Sequence, residues 1–277
     1  MPEVQGHRGA RALRPENTLP GLAYAIELGV DAIEFDVTLA ADGLIVAHDQ
    51  VADGTTILDT GPAVDGDPLF PYVGRRWSEL TLAQIATLDA GDRRPREPFG
   101  DTFVPVPGTR VPTLDQVCSL AAGGGAGAAA GVLLAVELKT DPTWPDSDVR
   151  RLTETALDVL AAHGVTARSR ILAFDWRVLR VAAAAAPEVT RVALVADGEP
   201  GECVAAARDV GAAWLSPVGK MTDGPLIAAA HRAGMQVSVW TVNDPARAAE
   251  LTALGADAIV TDRPDLLTSA LAGCVLA

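Results

Sequence analysis

Short apolar runs alternate along this chain with segments whose apolar residues recur every three to four positions. Residues 31–38 (DAIEFDVT), 132–138, 169–174, 189–195, 211–215, 236–241 and 256–261 have the length and β-branched content of strands, and the opening EVQG adds another. Helical periodicity covers 18–29, 148–163, 176–186, 201–209, 223–234, 245–254 and 263–272. Thr113-Leu-Asp-Gln116 is a capping-box pattern that opens one more helix near 114. Pro225 and Pro245 fall in first turns, and Gly164 and Gly234 in C-cap positions. The alternation predicts about eight βα units, the count of a (β/α)8 TIM barrel. A doubly wound open sheet is the alternative, but it normally uses fewer strands and binds its ligand at one switch point.

One stretch breaks the rhythm. Residues 49–112 are rich in Gly, Pro, Asp and Thr, and only LTLAQIATL at 80–88 reads as helical. Loops this long are uncommon and tend to be functional. The expectation is a single barrel domain over 1–277, with 49–112 as a small irregular insertion after the second strand.

Composition narrows the partners. The chain has 277 residues, enough for one barrel, and 49% of them are hydrophobic, enough for a large core. Aromatics are 4%, so that core is mainly aliphatic. Lys plus Arg is 22 and Asp plus Glu is 36, so 22 − 36 gives a net charge of −14. An acidic surface argues against nucleic acid or an anionic membrane as the partner. No apolar run reaches the roughly 18 residues of a membrane span, so stable membrane insertion is not expected. The Ala/Gly stretch 121–131 reads as a loop. Cys118, Cys203 and Cys274 are odd in number and widely spaced, which argues against a disulfide framework or a structural zinc site. MPEVQGHRG lacks the basic and apolar regions of a signal peptide. The expected compartment is the cytoplasm.

The chemistry lies at strand ends. Side chains alternate faces along a strand, so Glu34 and Asp36 point one way while Ile33, Phe35 and Val37 point the other. Glu137 and Lys139 repeat that arrangement. In a barrel these charged pairs face inward near the C-terminal mouth, a costly placement unless something compensates. Three converging carboxylates call for a divalent cation, and all-oxygen ligands favour a hard ion, Mg²⁺ or Ca²⁺. His7 and Arg8 end the first strand and His48 follows the short strand GLIVAH, all at the same mouth. Cations and a metal that hold phosphate oxygens, with imidazoles to move protons, are the kit for phosphoryl chemistry. Gly9 is expected to let the backbone turn close to the ligand. His163 and His231, on helical segments, read as structural.

Taken in order, HRGARALRPENT, EFDVTLAADGLIVAHD, LDAG, VPTLDQV, VELK, VWTVND and TDRPD resemble the glycerophosphodiester phosphodiesterases over essentially the whole sequence. The resemblance implies a TIM barrel and metal-dependent hydrolysis of a small-molecule glycerophosphodiester to glycerol 3-phosphate and an alcohol. Carried over by position, Glu34, Asp36 and Glu137 would ligate one divalent cation, His7 and His48 would be the acid/base pair, and Arg8 and Lys139 would hold the phosphate. Glu16 and Asn17 match the family's EN pair, with supporting and orienting roles. Trp240 would form an apolar wall for the glycerol, a substrate-binding role that Phe174 and Trp214, also near strand ends, could share, and Ser216-Pro217 would turn at the same mouth. Two features strain the match. Ala173-Phe174 stands where the family often has Ser-Phe, and GPAVDGDPLFPYVGRRW at 61–77 is longer and richer in Pro and aromatics than usual. That segment reads either as a lid selecting the leaving group or as a variable surface loop. The alternatives are a phosphodiesterase of this fold acting on lysophospholipids or sugar phosphodiesters, and a barrel that only binds a phosphorylated ligand. The sequence does not set the headgroup, the choice of ion or the oligomeric state.

Overall fold

The computed structural model describes residues 1–92, 99, 102–122 and 131–273. Eight parallel strands close into a barrel: β1 (Glu3–Gly6), β2 (Ala32–Leu39), β4 (Leu133–Leu138), β5 (Ser169–Ala173), β6 (Thr190–Val195), β7 (Trp214–Pro217), β8 (Gln236–Val239) and β9 (Ala258–Thr261). Closure comes where β1 pairs with both β2 and β9. The remaining strand, β3 (Leu44–Val46), folds back antiparallel on β2. The residues beyond 48 therefore leave the barrel from this hairpin. They include the expected insertion, of which 93–98, 100 and 101 lie outside the described residues, as does most of the 121–131 loop.

Helices α1 (Leu19–Glu27), α2 (Leu82–Ile85), α3 (Leu114–Ala122), α4 (Asp146–Ala162), α5 (Trp176–Ala185), α6 (Pro200–Asp209), α7 (Gly224–Arg232), α8 (Pro245–Ala253) and α9 (Pro264–Gly273) follow the patterned segments closely. In α4 the buried residues are Val149, Leu152, Thr153, Ala156, Leu157 and Leu160, one stripe facing the strands. Asp223 and Asp244 cap α7 and α8, and the Thr113–Gln116 box opens α3 through Gln116 N to Thr113 Oγ1 at 3.2 Å and Thr113 N to Gln116 Oε1 at 2.9 Å.

The apolar faces divide as alternation requires. Ile33, Phe35, Val37, Val136 and Leu138 join the large core between strands and helices. Ala135, Leu172, Val192, Leu194, Trp214 and Ala258 fill the barrel interior. Below them Arg170 forks onto Glu3 at 2.6 and 2.8 Å and stacks over Trp214 at 4.2 Å. This corrects two expectations. Gly211 takes φ +69° just after α6, a conformation that suits glycine, so β7 starts three residues later than the apolar run GAAWL suggests. Trp214 is consequently at the start of its strand, in the floor of the barrel rather than at its mouth. Ser216 and Pro217 are the last residues of β7, not a turn.

Outside the barrel, Ala47, Ala52, Ile57, Tyr72, Trp77, Leu80, Ile85, Leu88 and Val111 make a second apolar cluster. The segment that shows little periodicity in sequence still carries its own core, because its apolar residues converge from turns instead of from one face of an element. Among the described residues, no helix is long and apolar enough to cross a membrane.

Candidate active site

The carboxylates come first, because they are the costliest groups to bury. Glu34 and Asp36 lie on the inner face of β2, and Asp36 pairs in register with Glu137 on β4. All three are buried, and one oxygen from each lies within 4.8 Å of the others. Asp36 is the best satisfied. Asn17 donates through Nδ2 to Oδ2 at 2.8 Å and accepts from the Asp36 amide at 3.1 Å. Arg8 Nε lies 3.2 Å from Oδ2 and Lys139 Nζ 3.2 Å from Oδ1, ion pairs whose angles do not make hydrogen bonds. Glu34 accepts from the Arg8 amide at 2.8 Å through one oxygen, and its other, Oε1, has no hydrogen-bond partner among the described residues. Lys139 donates to Glu137.

This environment splits the three acids. Burial pushes Glu34 well above the usual carboxylate range, reinforced by the negative charges of Asp36 and Glu137. Burial also raises Glu137, partly offset by Lys139. It works against Asp36 too, but Lys139 and Arg8 outweigh it and hold that carboxylate ionised. Arg8 and Lys139 stay firmly charged despite burial, because Asp36 faces both. Clustered buried oxygens, two of them without hydrogen bonds, are the donor set a hard divalent cation takes. The triad fits such an ion.

Two histidines flank the cluster. His7 extends β1, its amide bonded to the Thr261 carbonyl at 2.8 Å. Its Nδ1 meets Asp262 Oδ1 at 2.6 Å, which leaves Nε2 for the cavity that His7 lines. Burial lowers the His7 pKa, and Asp262 partly restores it. Asn243, after β8, fixes Asp262 in turn: Nδ2 donates to Oδ2 at 2.8 Å and Oδ1 accepts the Asp262 amide at 2.8 Å. His48 repeats the arrangement, with Nδ1 on Asp49 Oδ1 at 2.8 Å, but it is 36% exposed.

The Arg8–Thr18 stretch is a shell around these groups. Arg8 and Asn17 both take positive φ, +49° and +54°, and the Asn17 amide closes the turn onto the Arg8 carbonyl at 3.1 Å. Glu16 takes Arg8 Nη1 at 2.8 Å and Arg11 Nε at 2.5 Å on its two oxygens. Gly9 acts differently from expectation. A Cβ there would sit 2.7 Å from the Gly21 carbonyl oxygen, so glycine admits the backbone of α1, not a ligand.

A cavity of about 270 Å³ joins His7, Arg8, Glu34, His48, Glu137 and Lys139 to an apolar side made of Leu172, Phe174, Leu194, Trp240 and Val260. Phe174 and Trp240 meet edge to face at 5.4 Å, the Trp240 indole donates to the Ser216 carbonyl at 2.8 Å, and Lys139 Nζ lies 5.7 Å from the Phe174 ring. His7, Arg8, Glu34, Asp36, His48, Glu137, Lys139, Phe174 and Trp240 thus converge on one mouth, with Glu16 and Asn17 bonded to Arg8 and Asp36, while Trp214 lies in the floor. Sequence reasoning assigned nothing to Asp262, Asn243 or Asp49, although TDRPD, VWTVND and the His48-Asp49 pair contain them.

Fold and site together define a (β/α)8-barrel enzyme. The chain belongs to the glycerophosphoryl diester phosphodiesterase family, whose family model matches residues 7–266. A glycerophosphodiester phosphodiesterase of Caldanaerobacter subterraneus is 29% identical over 268 residues, 95% of each chain. A Silicibacter pomeroyi structure, provisionally named a glycerophosphoryl diester phosphodiesterase, aligns with a TM-score of 0.87 at 29% identity, covering 99% of this chain and 94% of that one. An Oleispira antarctica phosphodiesterase in complex with its product sn-glycerol-3-phosphate aligns with a TM-score of 0.76 at 25% identity, covering 98% of this chain and 97% of the other.

Proposed function

We propose that the chain hydrolyses glycerophosphodiesters to glycerol 3-phosphate and an alcohol, with His7 and His48 as the acid/base pair. The observation that carries this reading is one cavity lined by Glu34, Glu137, two partly buried cations and two imidazoles, with Asp36 buried against the two glutamates and each imidazole held at Nδ1 by its own aspartate. The family match and the product complex of the Oleispira relative support it.

Arg8 and Lys139 bring positive charge to the phosphate, and Glu16 and Asn17 orient them, Glu16 through Arg8 and Asn17 through Asp36. Trp240 and Phe174 give the glycerol carbons an apolar side. The glycerol 2-hydroxyl attacks phosphorus while one histidine Nε2 takes its proton and the other protonates the departing alkoxide. Water then opens the cyclic phosphate with the roles reversed. Glu34, Asp36 and Glu137 would hold one divalent cation, Mg²⁺ or Ca²⁺, which supplies Lewis-acid polarisation of phosphate oxygens when bound. Attack by the 2-hydroxyl requires that hydroxyl to be free, so the substrates are deacylated diesters.

The direct test is glycerol 3-phosphate release from glycerophosphocholine and glycerophosphoethanolamine with Mg²⁺, with Ca²⁺ and with EDTA. Release that EDTA abolishes is expected. No release from folded protein with either ion would sink the proposal.

Asn243→Ala tests the support behind His7. It leaves an Asp262 oxygen and amide without their amide partner, so the imidazole loses its fixed direction. kcat is expected to fall about tenfold to a hundredfold with KM nearly unchanged. An unaltered kcat would take Asp262 orientation out of the mechanism.

A further inference from the structure

The segment 61–77 remains to be accounted for, and it does not cover the cavity. A space of about 400 Å³ beside His7 and His48 is lined from the inserted residues by Asp49, Asp53, Thr55 and Thr56, none of them in 61–77. What reaches His48 from 61–77 is its last residue. Trp77, 1% exposed, donates its indole N–H to the Asp49 carbonyl at 2.8 Å and its amide to the Gln50 carbonyl at 3.1 Å. The pairing continues outward, with the Gly74 amide on the Ala52 carbonyl at 2.8 Å and the Ala52 amide on the Arg75 carbonyl at 2.9 Å. On the opposite side, Gln50 Nε2 donates to the Lys139 carbonyl at 3.2 Å and Gln50 Oε1 accepts from Thr38 Oγ1 at 3.0 Å, while Arg76 pairs with Asp141 at 2.9 Å. The turn that carries His48 is therefore clamped between Trp77 and the end of β4.

We propose that Trp77 is a positioning residue for His48, and that 61–77 serves to deliver it. The need is physical. His48 sits where the chain leaves the barrel, its ring is partly exposed, and among the described residues its ring hydrogen-bonds only the neighbouring Asp49, which is 54% exposed. That bond holds Nδ1, but both its partners sit on the same turn, so it does not place the turn itself. The two carbonyls that follow His48 do, and both accept from Trp77. An indole suits the task because one side chain supplies both a large apolar body for the second cluster and a donor at its rim.

The inference rests on His48 acting in acid/base catalysis, and a double-mutant cycle separates the two claims. Trp77→Phe keeps most of the packing and removes the indole donor. Its kcat is expected to drop roughly tenfold to a hundredfold with KM nearly unchanged. Tyr72→Phe is the control. It strips the hydroxyl bonds to Asp67 and Ala63 in the same cluster without touching the His48 turn, so it should lower thermal stability and leave kcat intact. In a His48→Ala background, Trp77→Phe should cost nothing further. Parental kcat in Trp77→Phe, or an equal loss with and without His48, would overturn the positioning role. Full activity in His48→Ala alone would instead overturn the acid/base reading and the inference with it. If Trp77→Phe does not fold, Arg76→Gln loosens the same clamp from its exposed end and should lower kcat several-fold. Unchanged kcat there would equally refute the clamp.

Discussion

His48→Ala is expected to fold like the parent and to lose two to four orders of magnitude in kcat. The stability half follows from the surroundings. The ring is partly exposed and its hydrogen bond goes to a half-exposed neighbour, so removing it should change stability by no more than about 0.5 kcal/mol. The rate half follows from chemistry. A positioned acid/base group contributes roughly 10²–10⁴, which corresponds to about 3–5 kcal/mol of barrier. On the proposed reading Arg8 and Lys139 hold the phosphate, and His48 makes no hydrogen bond to either among the described residues, so KM should move little. The measurement is initial rate against substrate concentration at saturating cation, beside a thermal melt. Near-parental turnover would remove His48 from the acid/base pair. A changed melt with proportionate loss of both constants would mean that the ring is structural.

Much of this site was legible in sequence because the decisive rule is local. Strand alternation puts Glu34 with Asp36, and Glu137 with Lys139, before any partner strand is known. The barrel then has only to bring β2 beside β4, which the βα rhythm implies. His7 and His48 were readable for the same reason, as polar residues ending apolar runs. What was not legible is pairing at a distance. His7 and Asp262 are 255 residues apart, and only closure of β1 against β9 makes them neighbours. Asn243 and Trp77 were hidden similarly, because each acts on the backbone or carboxylate of another segment. Gly9 illustrates a different limit: the sequence shows that a side chain is excluded there, but not whether a ligand or a helix excludes it. Trp214 was misplaced because an apolar run does not mark where a strand begins, and the glycine that ends α6 does.

Glu137→Ala is expected to weaken divalent-cation binding by at least about a hundredfold. Losing an outer partner of a metal ligand already costs about 10–100-fold, so losing a ligand should reach the upper end or beyond. Charge balance points the same way. With all three carboxylates ionised against Arg8 and Lys139, the cluster carries a net charge of −1. That excess adds to burial, the larger cause, in driving Glu34 toward its protonated form. A divalent ion turns −1 into +1, and a phosphodiester monoanion brings the total to zero. Without Glu137 the cluster starts neutral, its attraction for a cation falls, and Lys139 is left to Asp36.

The same argument fixes a pH dependence. Glu34 and Glu137 are raised above their ordinary 4.5 in the folded protein, so the metal-free fold holds protons there that the unfolded chain releases. Their contribution to metal-free stability is fully present below 4.5 and is lost as pH climbs through the raised values. Cation binding needs those carboxylates ionised, so apparent affinity should rise with pH over the same window and level off once both protons are gone. The cation-induced increase in Tm should therefore grow with pH above 4.5. Calorimetric titrations and paired melts with and without Mg²⁺ or Ca²⁺ would measure both trends. A Tm shift that stays constant across the window, or a Glu137→Ala variant with parental affinity, would take Glu137 out of the ligand set.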